Sequence, residues 1–409
     1  MTSTIAAWDL DTRRQVVSLT VPRAMAERTF VGNEVAMRTS QGGSTVRALR
    51  YAPQEHVAVI GRLAPRGGGR LAATQDGRHV ALASSARSTV LIGDATMETL
   101  DQFAEVDVGL GTSSVDWHPD GGTLLVAVAN ELLLLDSATA KVRRRLDVGG
   151  RNGAVVYHPS GHLLATSDST RGCVVFRDTA TLEPSGADVV LPAAVVADAA
   201  NIDFSPDGSL LATGQNDGYV RLWNVGTREE AGPPLLHGGL VNGVSFSADG
   251  SFLVSTNWSG ETVKVWDVAK REQVGETLRH KGVVWSGTFH PGGELLVVES
   301  NDRNSALWHW RTGTNLTAYL KHPAGVGDAA FTPSGRTLFT VTVGSRDQAS
   351  GVVRRWDIPR VPTSLREATL RTSLFTGVER IASGKHVTLT AERWAEYRAE
   401  VAAIEAADQ

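Results

Sequence analysis

The stretch NIDFSPDGSLLATGQNDGYVRLWNV, residues 201–225, decides how this chain folds, because it comes back. Its next copy is GVSFSADGSFLVSTNWSGETVKVWDV, residues 243–268, and the tryptophans Trp223 and Trp266 stand 43 apart. Trp308 follows 42 further on in SALWHW, and Trp356 another 48 on in VVRRWDI, where the longer turn VGSRDQASG takes up the excess. Toward the N-terminus the frame continues without tryptophan. Arg177, Leu135, Gly93 and Leu49 fall in its slot, and Trp8 in IAAWDL is the first mark. A second marker keeps the same beat, an aromatic before a tight turn: Trp117, Tyr157, Phe204, Phe246, Phe289 and Phe331, at spacings of 40, 47, 42, 43 and 42. Two markers with one period are not chance self-similarity. A period of about 40–45 residues with four strands per unit predicts a radial array of small sheets.

The physics of one unit supports this. NIDF alternates and ends on an aromatic, as a half-buried strand does. In SPDG, Pro206 fixes φ, Asp207 tolerates turn geometry and Gly208 supplies a positive φ. SLLATG is a short apolar strand, QNDG a second turn, and YVRLWNV alternates again. A looser fourth strand follows, such as QVGETL or RRRLDV. Such a sheet has two apolar faces and hides neither alone. Radial stacking buries face against face and leaves only short edges. Each large apolar side chain so buried contributes roughly 1.5–3 kcal/mol. Paired helices are excluded, since turn signals fall every ten or so residues.

The expected fold is therefore all-β, a single β-propeller of four-stranded antiparallel blades with a short helical C-terminal tail. Counting strand sets from about Met25 to Trp356 predicts eight blades. Seven is the alternative, because residues 22–62 are poorly patterned. The N-terminal pair TIAAWDL and QVVSLTV is expected to complete the last blade as a latch. Its form, the end of a blade without a beginning, also suggests the C-terminal part of a longer protein. The expected domains are a propeller over 1–360 and a tail over 361–409 packed on it. In the tail, TSLREATLRTSLFTG predicts a helix ended by Gly377, and Ser383-Gly384 centres a hairpin. A terminal helix follows, with Thr390 as N-cap and Glu392 in its first turn. Trp394, Tyr397, Val401 and Ile404 form one apolar stripe on it.

Bulk properties bound the function. The net charge of −4 and pI near 6.3 give no reason to expect nucleic acid or an anionic membrane as partner. The single cysteine, Cys173, forms no internal disulfide and fits a reducing compartment, here expected to be cytoplasmic. It falls in a strand slot and is read as a small core residue. The opening MTSTIAAWDLDTRR lacks the basic and apolar regions of a signal peptide. Arginine far outnumbers lysine and Ala, Gly and Val abound, which suggests a high-GC bacterial genome.

The repeats FSPDGSLLATGQNDGYVRLWNV and FSADGSFLVSTNWSGETVKVWDV resemble the WD-repeat (Trp–Asp repeat) family of β-propellers. The likeness spans roughly residues 1–360 and is strongest in the second half. The resemblance implies a hydrogen-bonded set in each blade: a His before the first strand, a Ser or Thr, an Asp in the second turn, and the Trp. His237, His280 and His322 match the His slot, Thr213 and Ser255 the hydroxyl slot, Asp217 the turn Asp, and Trp223, Trp266, Trp308 and Trp356 the Trp. Leu49, Gly93, Leu135 and Arg177 depart from the pattern, so those blades are expected to be held by packing. The tail is similar to the segment closing many bacterial WD-repeat proteins, including propellers fused to serine/threonine kinases or signalling ATPases.

Motifs for chemistry are missing from the sequence. It has no phosphate-binding GxxxxGK[ST] loop, no GxSxG elbow, and no HExxH or CxxC spacing. His118, His158 and His290 occupy equivalent turn positions, which a ring spreads apart, so no metal and no cofactor is expected. The expected function is a non-catalytic protein-interaction scaffold or sensor. The alternative is a lactonase-like hydrolase whose residues gather from several blades at the channel mouth. The resemblance places partners on the face formed by the loops before strand one and between strands two and three. There Trp258 occupies a slot that holds Asn216 one repeat earlier, and an aromatic in a polar slot is a binding candidate. Arg279, Lys281, Trp285, Arg303 and Arg346 are the candidate residues around it. Trp310 matches Val225 and Val268 and is assigned to the core.

Overall fold

The computed structural model describes residues 2–9, 14–22, 27–31, 34–38, 45–48, 57–62, 69–84, 88–96, 102–109, 112–150, 152–192, 202–258, 260–280, 282–301, 306–311, 313–315, 322, 325–342, 352–358, 378–380, 386–388 and 390–407. The chain forms two compact units, one of residues 56–359 and one of residues 1–55 with 360–409.

The larger unit is a ring of seven four-stranded antiparallel sheets. In chain order, blades one to six span residues 69–107, 112–147, 152–190, 202–236, 241–279 and 284–315. The seventh takes three strands from 326–357 and its outermost strand, Val57–Arg62, from the other end of the unit. That strand pairs with Val352–Asp357, with Val352 opposite Arg62 and Trp356 opposite Val57. The first strand of each blade is innermost. Each touches the first strand of the next, and the seventh touches the first. Of the aromatics of the second marker, Trp117, Tyr157, Phe204, Phe246 and Phe289 are buried and Phe331 is half-buried.

The ring therefore has seven blades, not eight, and the latch is VAVIGR rather than the N-terminal pair. Thr2–Asp9 does pair with Arg14–Pro22, but as a two-stranded sheet of its own, and Trp8 lies there outside every blade. Among the described residues, Glu27–Val31, Glu34–Arg38 and Thr45–Ala48 form a three-stranded sheet. A periodic mark shows that a strand set exists. It does not show which strand supplies the last edge, and the alternating VAVIGR satisfies that edge.

Side chains tie each junction of the ring to backbone across it. Trp117 Nε1 donates to Ala72 O between blades two and one at 3.1 Å. Asp116 accepts from the Tyr157 amide between two and three at 2.7 Å, and Asp203 from the Phe246 amide between four and five at 2.7 Å. Asn242 Nδ2 donates to the carbonyls of Val284 and Trp285 between five and six. Asp328 accepts from the Leu71 amide between seven and one at 2.9 Å. The turn histidines supply a second set. His118, His158 and His290 each donate from Nε2 to a glycine carbonyl of the next blade, Gly161, Gly208 and Gly335. Nδ1 of His158 and of His290 accepts a backbone N–H of its own turn, which leaves Nε2 as the donor, while Nδ1 of His118 lies 2.7 Å from an Asp120 carboxylate oxygen. Each ring also stands edge-on to the aromatic of the next blade, at 5.1 Å for His118 on Tyr157, His158 on Phe204 and His290 on Phe331. The expectation that these three histidines do not converge holds, and the geometry gives them a joint to make.

Gly208 shows how tight this joint is. Its φ is +72°, and a Cβ there would run into the His158 ring. Gly208→Ala is expected to cost at least about 2 kcal/mol, left-handed strain plus loss of the His158 bond. Urea denaturation of variant and wild type checks this, and an unchanged midpoint would refute the joint.

Slots without tryptophan are filled in different ways. Gly93 leaves room for Phe103, whose ring atoms stand 2.5–2.7 Å from where a Gly93 Cβ would be. Leu135 is fully buried. Arg177 is buried and donates to Leu182 O, while Arg228 of the next blade lies 3.5 Å over the neighbouring Phe176 ring. Leu49 lies outside the described residues. Cys173 and Trp310 are buried as expected, and Trp310 Nε1 donates to Gly293 O at 2.7 Å.

In the smaller unit, Val378–Arg380 pairs with His386–Thr388 as the expected hairpin, and one helix, α1, spans Ala391–Ala407. Thr390 Oγ1 accepts the Arg393 amide at 3.3 Å, the predicted cap. Tyr397 of the stripe is buried. The helix expected before Gly377 lies outside the described residues.

Candidate protein-interaction face

Blades four to seven carry the expected tryptophans, and each holds its indole differently. In blade five, Trp266 Nε1 donates to Ser255 Oγ at 2.7 Å, Ser255 Oγ lies 2.6 Å from His237 Nδ1, and His237 Nε2 lies 3.1 Å from Thr262 Oγ1. A consistent proton assignment runs Trp266 to Ser255 to His237 to Thr262, with the imidazole neutral. Burial, with the charge of Lys264, pushes His237 down to about 3. In blade four, Trp223 Nε1 donates to Thr213 Oγ1 at 3.0 Å. There Asp217 pairs with Arg221 at 2.8 Å and accepts the Tyr219 amide. In blade six the hydroxyl is skipped and Trp308 Nε1 donates to His280 Nε2 at 3.0 Å. In blade seven Trp356 Nε1 donates to Thr340 Oγ1 at 2.8 Å. His322 stands buried and edge-on to Trp356 at 5.0 Å, and among the described residues neither of its nitrogens has a hydrogen-bond partner.

This fixed frame carries Trp258. The turn after Phe252–Asn257 is pinned by the Trp258 amide donating to Leu240 O, by Asn257 Nδ2 donating to Gly238 O, and by the Gly260 amide donating to Asn257 Oδ1. On it Trp258 is 43% exposed, while Asn216 at the same place in blade four is half-buried. The Trp258 ring meets Trp285 of blade six edge to face, with centroids 4.6 Å apart. Asn242 holds the Trp285 carbonyl, so both indoles stand on rigid strand ends. Trp285 Nε1 is buried without an acceptor. Arg279 is exposed at the end of the outer strand of blade five, opposite Thr262. The structure thus brings Trp258 and Trp285 together and puts Arg279 at the same end of the blade. Lys281, Arg303 and Arg346 lie outside the described residues.

The inner wall holds what the motif search passed over. Asp116 and Asp203 each stand directly before the marker aromatic; burial pushes both up to about 7, and the charge of Asp203 adds to the rise at Asp116. Asp328 of blade seven and Glu299 of blade six form a second pair near Arg70, with both carboxyls raised by burial. The D-W and D-F dipeptides of DWHPDGG and DFSPDGS are the signal in the sequence. Among the described residues no group of three or more His, Cys, Asp or Glu side chains is placed to hold a metal ion. No described helix is long and apolar enough to cross a membrane.

The family model described as WD domain, G-beta repeat matches residues 196–224 and 236–267, in blades four and five. No curated protein matches the chain. The two matched repeats are adjacent blades in a ring of seven four-stranded antiparallel sheets.

Proposed function

We propose that the protein is a non-catalytic interaction ring that binds a protein or peptide segment at the junction of blades five and six. The observation that carries this reading is Trp258, exposed on a pinned turn and braced edge-on by Trp285. A rigid aromatic loses little freedom on binding, and tryptophan is enriched at interface hot spots. Arg279 stands at the same end of blade five, and Lys281, Arg303 and Arg346 are the further basic residues of this reading. Composition and the tail's likeness support a bacterial, cytoplasmic signalling role, as sensor or scaffold.

The test is selection of short random displayed peptides on the wild-type ring. Selected peptides should lose about 30-fold in affinity or more on Trp258→Ala, the size of one hot spot. Val190→Ala, on an exposed outer edge, should leave binding unchanged. Equal binding by Trp258→Ala would overturn the site.

A lactonase-like hydrolase is the second reading, and the inner-wall carboxylate pairs favour it. Turnover of a lactone or aryl ester panel that vanishes in Asp203→Asn would establish it. The binding reading stands first because the aspartates already accept backbone amides.

A further inference from the structure

In blades one to five the outermost strand ends on a residue opposite the first residue of the third strand. These end residues are Asp107 opposite Thr89, Asp147 opposite Glu131, Val190 opposite Cys173, Leu236 opposite Tyr219 and Arg279 opposite Thr262. The shared register puts all five at the same end of the ring, on its outer rim, and all five are exposed.

This slot is a sheet edge, where charge keeps a strand from pairing with other chains. Blades one, two and five carry that charge, and blades three and four do not. Val190 is 72% exposed and Leu236 57%, while the residue before each, Val189 or Leu235, is buried. Their outer strands are two residues long, against six in blade two and eight in blade five. A polar side chain at the outward position would serve such a strand equally well, so packing within the blade does not call for an aliphatic one. Among the described residues, Val190, Leu236 and Trp258 are the large apolar side chains left exposed.

The charges beside the aliphatic pair have an order. From blade one to blade five the slot reads acidic, acidic, aliphatic, aliphatic, basic. Asp147 Oδ1 accepts Asn130 Nδ2 at 3.0 Å and the Gly149 amide at 2.8 Å, both neutral donors. Among the described residues neither Asp147 nor Arg279 has an ion-pair partner. A two-fold axis between blades three and four sets blade three on blade four of a second copy, and blade two on its blade five. Val190 then meets Leu236 of the second copy, and Asp147 meets Arg279 of the second copy. Every contact occurs twice, as an isologous interface requires. Such pairing demands opposite charges on blades two and five and like residues on blades three and four. An unrelated partner imposes no such relation.

We infer that this rim is a self-association surface, through which two copies of the chain pair across blades two to five. The aliphatic residues form its centre, and an Asp147–Arg279 ion pair flanks them on each side. Nothing in this pairing depends on Trp258. Exposed ion pairs around a small apolar centre make a weak, reversible and salt-sensitive dimer.

Sedimentation of the full chain, with no peptide present, tests the pairing. Wild type should show a monomer–dimer equilibrium that added salt weakens. Asp147→Arg and Arg279→Asp should each weaken it about tenfold or more, because each turns two attractions into two repulsions. In an equimolar mixture of the two variants every facing pair again carries opposite charges, so the mixture should associate as wild type does. Recovery on mixing excludes misfolding as the cause of the loss. Leu236→Ser should weaken the dimer without changing its salt dependence. A wild type that stays monomeric at every concentration overturns the inference. So does a dimer that neither charge reversal weakens, or that mixing does not restore.

Discussion

Trp266→Ala is expected to lower stability by about 3–5 kcal/mol, with a thermal midpoint about 10 °C down. Trp266 is buried between Ala212, Val220, Leu222 and Leu235 of blade four and Val244, Phe246 and Leu253 of its own blade. Its removal opens a cavity at a blade junction. It also takes the donor from Ser255, which is buried and holds His237. Trp266→Phe separates the two contributions. It keeps most of the packing and loses the N–H, so it should cost about 1–2 kcal/mol. Thermal and urea denaturation check both variants. Equal losses for Phe and Ala would show that the hydrogen-bonded chain, rather than packing, holds the blade.

The second large effect concerns acid. Burial pushes His322 down to about 3, helped by the charge of Arg354, as it does His237. Both imidazoles are neutral in the folded ring and free to protonate once unfolded. Their contribution is present above about pH 6.5 and is lost as pH falls toward 3, on the order of 4 kcal/mol for each. The inner-wall carboxyls act in the opposite direction over much of the same range, so the wild-type curve should be shallow. His322→Leu uncovers the histidine effect. The substitution removes no hydrogen bond among the described residues. The variant should match wild type at about pH 7.5 and exceed it by on the order of 3 kcal/mol at about pH 4. Urea midpoints at the two pH values measure this. The same difference at both would show that the ring does not disfavour His322 protonation.

Much of the ring was legible before any coordinates. Leu210–Gly214 falls on the apolar run SLLATG and Tyr219–Asn224 on the alternating YVRLWNV, because strand patterning, glycine turns and a repeated tryptophan all agree there. The blade count was not legible, since the period runs on through residues 27–48, where the described strands form a sheet of three. Closure is a non-local pairing between Val57–Arg62 and Val352–Asp357, and no local pattern encodes the partner. Trp258 was legible as an aromatic in a polar slot. Trp285 was legible as a residue around it, but the edge-on ring contact was not, because 27 residues and a blade boundary separate the two. The inner-wall aspartates were hidden differently. A carboxylate beside a turn is ordinary in sequence. Only the neighbouring blade shows that Asp116 and Asp203 face inward and bind across a junction.

The latch has a mechanical consequence. Val57, where the chain enters the ring, lies opposite Trp356, one residue before the last strand ends at Asp357. Tension between these two points therefore loads the strand pair at one end and peels it, one rung after another, toward Val352 and Arg62. A pair loaded this way yields at lower force than one pulled lengthwise, where all rungs share the load. Under tension the seventh blade should open first, with the other six still folded.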